Sequence, residues 1–187
     1  SLIIQNSASG CLLDIYLWKN FELSFEMKYL LDDTQEGYRS LGILFGAWNL
    51  ESYYMFEIAT KKVSPYDLYV KPHVRLYGTW EPVNFDRVGT CNLKQPFRVK
   101  IRVMNGLVVF YVDGKQMYEW ILPDQIDLRY GRVEPDQSDA KKKREVISHK
   151  MTAMVPFYNQ YGKVGLRADW GQGATVKDFQ VKSLSGI

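Results

Sequence analysis

Phe97-Arg-Val-Lys-Ile-Arg-Val-Met-Asn-Gly-Leu-Val-Val-Phe-Tyr-Val112 is the stretch on which the fold turns. Two runs alternate apolar and polar residues, and Asn105-Gly106 stands between them. Period-two alternation places one set of side chains on each face of a strand. Asn-Gly tolerates φ > 0 at both positions, which is what a two-residue hairpin turn requires. Such a turn pairs Ile101 with Phe110 and Val99 with Val112 on the apolar face. It pairs Lys100 with Tyr111 and Arg102 with Val109 on the opposite face. Asp113-Gly114 then opens a second turn into Gln116-Met-Tyr-Glu-Trp120. With two residues in that turn, Tyr118 and Trp120 join the Lys100, Arg102 and Tyr111 face; a one-residue slip reverses them.

The same rhythm continues on either side. Phe21, Leu23, Phe25, Met27 and Tyr29 alternate with Glu22, Ser24, Glu26 and Lys28. Leu41-Gly-Ile-Leu-Phe-Gly-Ala47 is nearly all apolar, and its two glycines predict close packing. Tyr53 to Ile58 reads as the next strand. Tyr66 to Tyr77 is a further candidate, interrupted by Pro72. Lys163 to Trp170 and Thr175 to Leu184 close the pattern, with a turn at 171–173. No long amphipathic helix and no internal repeat is visible. Many short strands between turn residues predict an all-β antiparallel two-sheet sandwich over residues 1–187. Residues 124–156 break the rhythm. They are polar, bracketed by prolines, and long for a loop, which predicts a lid, a binding loop or a flexible insertion. Trypsin is expected to cut first near Lys141–Arg144.

The composition removes several classes. The 187 residues are 46% hydrophobic and 24% charged, ordinary for a globular chain that can bury a core. The formal net charge is +3, and the run Lys141-Lys142-Lys143-Arg144 carries more than that excess. The rest is near neutral, so no nucleic-acid partner is expected. No stretch approaches 18 apolar residues, so no membrane insertion is expected. Cys11 and Cys91 leave two readings open, one disulfide or two buried free thiols. Aromatics reach 14%, with 13 Tyr and 5 Trp. Such rings suit sheets, and they also suit surfaces that stack sugars.

A family resemblance rests on named stretches. The segment from Phe97 to Trp120, with its Val-Asp-Gly-Lys, is followed by Gly162-Lys-Val-Gly-Leu-Arg-Ala and by Val176-Lys-Asp-Phe-Gln-Val181. That order resembles the concanavalin A-like lectin/glucanase jelly rolls, in particular laminin-G-like and 3-keto-disaccharide hydrolase-like domains. Leu41-Gly-Ile-Leu-Phe and Tyr54-Met-Phe-Glu-Ile58 resemble their earlier strand pair. The resemblance implies a jelly roll, a carbohydrate ligand, a place in a carbohydrate-utilisation system, and an extracellular or periplasmic location. It also leaves a glycoside hydrolase and a laminin-G-like protein-interaction domain as alternatives. The hydrolase-like pattern carries an Arg, an acid and a Gln where this chain has Gly46, Met55 and Glu57, which counts against direct transfer of its activity.

The residues themselves give little chemistry. Two carboxyl groups roughly 5–10 Å apart would serve a glycosidase. Glu22 and Glu26 share a strand face about 13 Å apart, too far for that work. Glu57 is the lone acid of an apolar strand. His73 and His149 have no metal ligand at the usual spacing and read as surface or loop residues. No cofactor is implied; Asp32-Asp33-x-x-Glu36 could gather hard oxygens for Ca²⁺, without the alternate-residue pattern of a dedicated loop. The candidate glycan face is Lys100, Arg102 and Tyr111, with Trp120, Tyr53 and Glu57 expected on the same groove. Tyr111→Ala is expected to abolish glycan binding at little cost in stability.

Overall fold

The structure is a computed structural model that describes residues 2–5, 10–30, 38–61, 64–81, 86–90, 92, 95–136, 139–168 and 173–184. Every regular element in it is a strand. In chain order these are β1 (Leu2–Gln5), β2 (Gly10–Trp18), β3 (Phe21–Tyr29), β4 (Tyr38–Asn49), β5 (Ser52–Lys61), β6 (Ser64–Leu76), β7 (Thr79–Trp80), β8 (Asp86–Thr90), β9 (Phe97–Met104), β10 (Leu107–Val112), β11 (Lys115–Ile121), β12 (Gln125–Asp136), β13 (Asp139–Met154), β14 (Gly162–Arg167) and β15 (Gly173–Ser183). They form one sheet in the order β1-β15-β3-β9-β10-β11 and another in the order β2-β14-β4-β5-β6-β7, with β8 also paired to β6. All pairings are antiparallel. Among the described residues no helix is long and apolar enough to cross a membrane.

The core lies between the two sheets. Phe21, Leu23, Phe25, Val99, Ile101 and Phe110 of the first sheet meet Leu41, Ile43, Phe45, Phe56, Ile58 and Val70 of the second, all nearly fully buried. The rings interlock; Phe56 and Phe110 lie 5.0 Å apart between centroids. Burial of each large apolar side chain contributes roughly 1.5–3 kcal/mol. The alternation that predicts this face therefore also supplies its driving force. The β9–β10 hairpin has the expected pairs, Ile101 with Phe110, Val99 with Val112, Lys100 with Tyr111 and Arg102 with Val109. Asn105 and Gly106 take φ of 50° and 80°, as the two-residue turn demands.

Period two fails at two places, and each failure has a bulge. On β15, Val176 is buried, and Phe179 and Val181 also pack against the core, a spacing that a regular strand cannot give. The register shifts between Lys177 and Gln180, and Asp178 takes a φ of 50°. On β11, Tyr111 faces Gln116, while Phe110 faces Tyr118 and Val108 faces Trp120. Met117 is the extra residue. It reverses the remainder of the strand, so Tyr118 and Trp120 share the core face with Phe110 and Val108. The indole of Trp120 meets Phe45 at 6.3 Å and Tyr54 at 5.9 Å, edge to face.

This contrast is measurable. Trp120→Ala should cost about 3 kcal/mol, the usual loss when a packed aromatic leaves a cavity. Tyr111→Ala should cost under about 1 kcal/mol, because Tyr111 points away from the core. Urea unfolding of both variants checks the register; equal losses would contradict it.

Pro72 sits inside β6, opposite Phe56 on β5. On its other side β8 pairs with 67–70 and β7 with 75–76, so, among the described residues, 71–74 have no strand partner there. A proline fits such a gap. Residues 124–156 are not an irregular loop. β12 and β13 pair with each other as a two-stranded ribbon whose base buries Ile126 and Leu128. The side chains of Lys141–Arg144 and His149, the carboxylates of Asp32-Asp33-x-x-Glu36, Cys91, and residues 171–172 of the expected turn lie outside the described residues.

Candidate functional site

The face of the second sheet that points away from the core carries the densest polar cluster. The register sets it out in rows. Tyr53 of β5 faces Arg75 of β6, Met55 faces His73, and Glu57 faces Lys71. On the other side of β5, Leu44 faces Met55 and Gly42 faces Glu57, and Arg167 of β14 faces Gly42. Trp80 of β7 faces Arg75. Residues of five adjacent strands, β14, β4, β5, β6 and β7, therefore converge on one surface.

Its floor is apolar. Leu44, Ala47, Tyr53 and Met55 form a second buried cluster, with Leu12 and Trp80 packed on it. A side chain at Gly42 would meet the Met55 Sδ, so the glycine is what lets that floor close. Above it stands a polar set. His73 Nε2 lies 3.1 Å from Glu57 Oε2, and both side chains are close to nine-tenths buried. Arg167 Nη1 donates to the Tyr53 hydroxyl at 2.9 Å. Arg75 donates through Nη2 to Glu51 Oε2 at 2.9 Å and through Nη1 to the Leu50 carbonyl at 3.1 Å. The Trp80 ring centroid lies 5.2 Å from Arg75 Cζ and 5.3 Å from Arg167 Cζ. Tyr53 and His73 meet that ring at 5.7 and 5.2 Å, edge to face. Cation–π attraction to both guanidinium groups holds the indole in place.

Two buried polar atoms here have no hydrogen-bond partner, His73 Nδ1 and Arg75 Nε. An unsatisfied buried group costs roughly 1–3 kcal/mol, so such atoms mark a place where a partner is expected.

Burial opposes the charge of Glu57, yet hydrogen bonds from His73 and Ser40, together with the positive charges of His73 and Lys71, outweigh it and hold the carboxyl below its ordinary value. Glu57 is therefore ionised at neutral pH and accepts a hydrogen bond from His73 Nε2 at 3.1 Å. A depressed carboxyl contributes stability that is present above its unfolded value and lost as pH falls through the folded one. Acid unfolding should therefore begin to weaken the fold below the ordinary carboxylate value of 4.5. Glu81 has the opposite sign, because burial and the Asp127 charge push its carboxyl up. In a pH series of urea midpoints, Glu57→Gln should flatten the acid limb; an unchanged limb would show that Glu57 does not carry it.

The six residues expected on one groove divide three ways. Tyr53 and Glu57 lie on this face. Lys100, Arg102 and Tyr111 lie on the outward face of the other sheet, across the core. Trp120 lies between the sheets, for the reason given by the Met117 bulge. Around Lys100 there is a recess of about 260 Å³ lined by Glu22, Ser24, Arg98 and Gln180. Lys100 Nζ sits 4.3 Å over the Tyr111 ring and 3.9 Å from Glu22 Oε2, so the lysine covers the ring that a sugar would need.

His73, Arg75, Trp80 and Arg167 were not expected. Lys71-Pro-His73-Val-Arg75 does carry the signal, a polar residue at every second position beside the Tyr53, Met55, Glu57 set. His73 is only 8% exposed, not a surface or loop residue. Among the described residues no group of His, Cys, Asp or Glu could hold a metal ion.

No protein-family model matches the sequence, and no curated protein matches it. Solved structures do match in fold. The carbohydrate-binding module CBM66 from Bacillus subtilis superposes with a TM-score of 0.55 at 11% identity, covering 95% of this chain and 84% of the module. Sheep galectin-11, solved in complex with glycerol, gives a TM-score of 0.56 at 11% identity over 95% of this chain and all of the galectin, 100%. A human galectin-16 variant gives 0.54 at 11% identity, covering 96% and 99%. At such identity the likeness is one of fold. With two antiparallel sheets packed over one apolar core, the chain is an all-β, concanavalin A-like jelly-roll sandwich.

Proposed function

We propose that the chain binds a glycan on the outward face of β4, β5 and β6, with Trp80 as the ring on which the sugar stacks. Sugars present apolar C–H faces to aromatic rings and hydroxyls that both donate and accept. The observation that carries this reading is the grouping of Trp80 with Arg75, Arg167 and His73 on one outward sheet face. The guanidinium groups of Arg75 and Arg167 stand beside the ring and supply donors for sugar hydroxyls. The carbohydrate-binding module and the galectins of the same fold support a carbohydrate as ligand. A role in carbohydrate utilisation, outside the cell or in the periplasm, follows from the same reading.

The hydrolase alternative draws less support. Glu57 is ionised and already hydrogen-bonded, so it has no proton to give a leaving group. A glycan array followed by calorimetry on the best hit tests the binding reading. His73→Leu removes the imidazole packed on the Trp80 ring and should weaken that hit about tenfold. Wild-type affinity in that variant, or an array without hits, would overturn it.

A further inference from the structure

At the far edge of the same sheet, β2 departs from regular pairing. Trp18 faces Gly162 and Leu13 faces Val164, so residues 14–17 stand against Lys163 alone. A bulge of that size re-aims side chains. It turns Tyr16 and Leu17 outward, 67% and 57% exposed, while Trp18 folds back against the core. Tyr161, beside Gly162, is 64% exposed. Between these elements lies a cleft of about 390 Å³, lined by Tyr16, Trp18, Lys19, Asn20, Tyr161 and Ser183.

The cleft has a rigid back. The Asn20 amide donates through Nδ2 to Asn105 Oδ1 at 3.3 Å, and its Oδ1 accepts from the Asn105 N–H at 3.0 Å. The Leu184 N–H donates to the Asn20 carbonyl at 3.0 Å. The β2–β3 turn, the residue after β15 and the β9–β10 turn are thus tied together, which lowers the ordering cost of binding. The Tyr16 and Trp18 rings meet edge to face at 5.9 Å, so each leaves a flat face for another group. Exposed rings grouped around a recess are unusual on a surface and mark a contact site.

We propose that this cleft is a second sugar-binding site, taking one or two neutral pyranose or furanose rings. The volume suits such a ligand and is too small for a folded partner. Tyr16 and Tyr161 supply stacking faces, and the Lys19 ammonium and the Ser183 hydroxyl reach the ring oxygens. β2 and β7 are the two edges of the sheet, five strand spacings or about 24 Å apart, so one small sugar cannot touch both this cleft and Trp80. The chain would then be bivalent, and a branched or immobilised glycan would be held with an avidity that neither site has alone.

Isotope-labelled full chain is titrated in turn with lactose, maltose and cellobiose, and with sorbitol as an open-chain polyol. At least one disaccharide should shift the Trp18 indole resonance, and sorbitol should not. Tyr16→Ala and Tyr161→Ala should each weaken that shift about tenfold, since each removes a stacking ring. Tyr161→Phe keeps the ring and should retain binding. Both tyrosines are exposed, so the melting point should not move and a folding failure is not the expected cause of a loss. Trp80→Ala should leave the Trp18 shift in place. If no disaccharide moves Trp18, or if the shift survives in both alanine variants, the second site is wrong whatever happens at Trp80. If only the Trp80 resonances stay silent, the cleft stands and the reading of the other face fails.

Discussion

Gly165→Ala should lower the stability of this protein sharply. Gly165 lies on β14 between β2 and β4, paired with Leu12 and Leu44. An added Cβ would run into the Cys11 carbonyl oxygen and stand 3.0 Å from Leu12 Cα. Those neighbours are backbone, so they cannot turn aside as a flexible side chain would. Overpacking of this kind costs about 3 kcal/mol. For a chain of this size that lowers the melting point by roughly 6–12 °C. Gly114→Ala is the companion measurement. Nothing lies within 4 Å of its Cβ, but φ is +81°. Its cost is that of a left-handed residue, about 1–2 kcal/mol. Thermal melts of the two variants separate packing from conformation; a Gly165→Ala loss no larger than that of Gly114→Ala would contradict the close approach of β2 to β14.

Trp80→Ala should reduce glycan affinity at least about 30-fold, the loss expected when a central aromatic is truncated. The ring does two things. It covers the apolar floor of Leu44, Tyr53 and Met55, and it contacts the guanidinium groups of Arg75 and Arg167. Without it both guanidinium groups lose a partner surface, and the sugar loses its plate. Part of the effect could reach stability, so Trp80→Phe is the control. Phe keeps a flat face and should restore most of the affinity. Calorimetry with the best array hit, beside a melt of each variant, reads both. Unchanged affinity in Trp80→Ala would remove the ring from the account.

Much of the fold is legible in the sequence because alternation and turn chemistry are local. The β9–β10 pairs follow residue by residue from Asn105-Gly106. The site is less legible because it is assembled across sheets. Alternation shows that Tyr53, Glu57, Lys100 and Tyr111 each avoid the core, but not that two sheets point them in opposite directions. Trp120 was displaced by one unpaired residue, Met117, whose insertion no pattern of period two announces. Pro72 hid the regular spacing of Lys71, His73 and Arg75, since a proline reads as a break in a strand. Arg167 needs the β14–β4 pairing before it can be placed beside Tyr53 at all.

The most direct test of the glycan face is a chemical-shift map of the labelled chain with the best array hit. The Trp80 indole N–H should move most, with the His73 ring and the Arg75 guanidinium beside it moving next. Shifts confined to Lys100, Arg102 and Tyr111, with Trp80 and His73 unmoved, would contradict it.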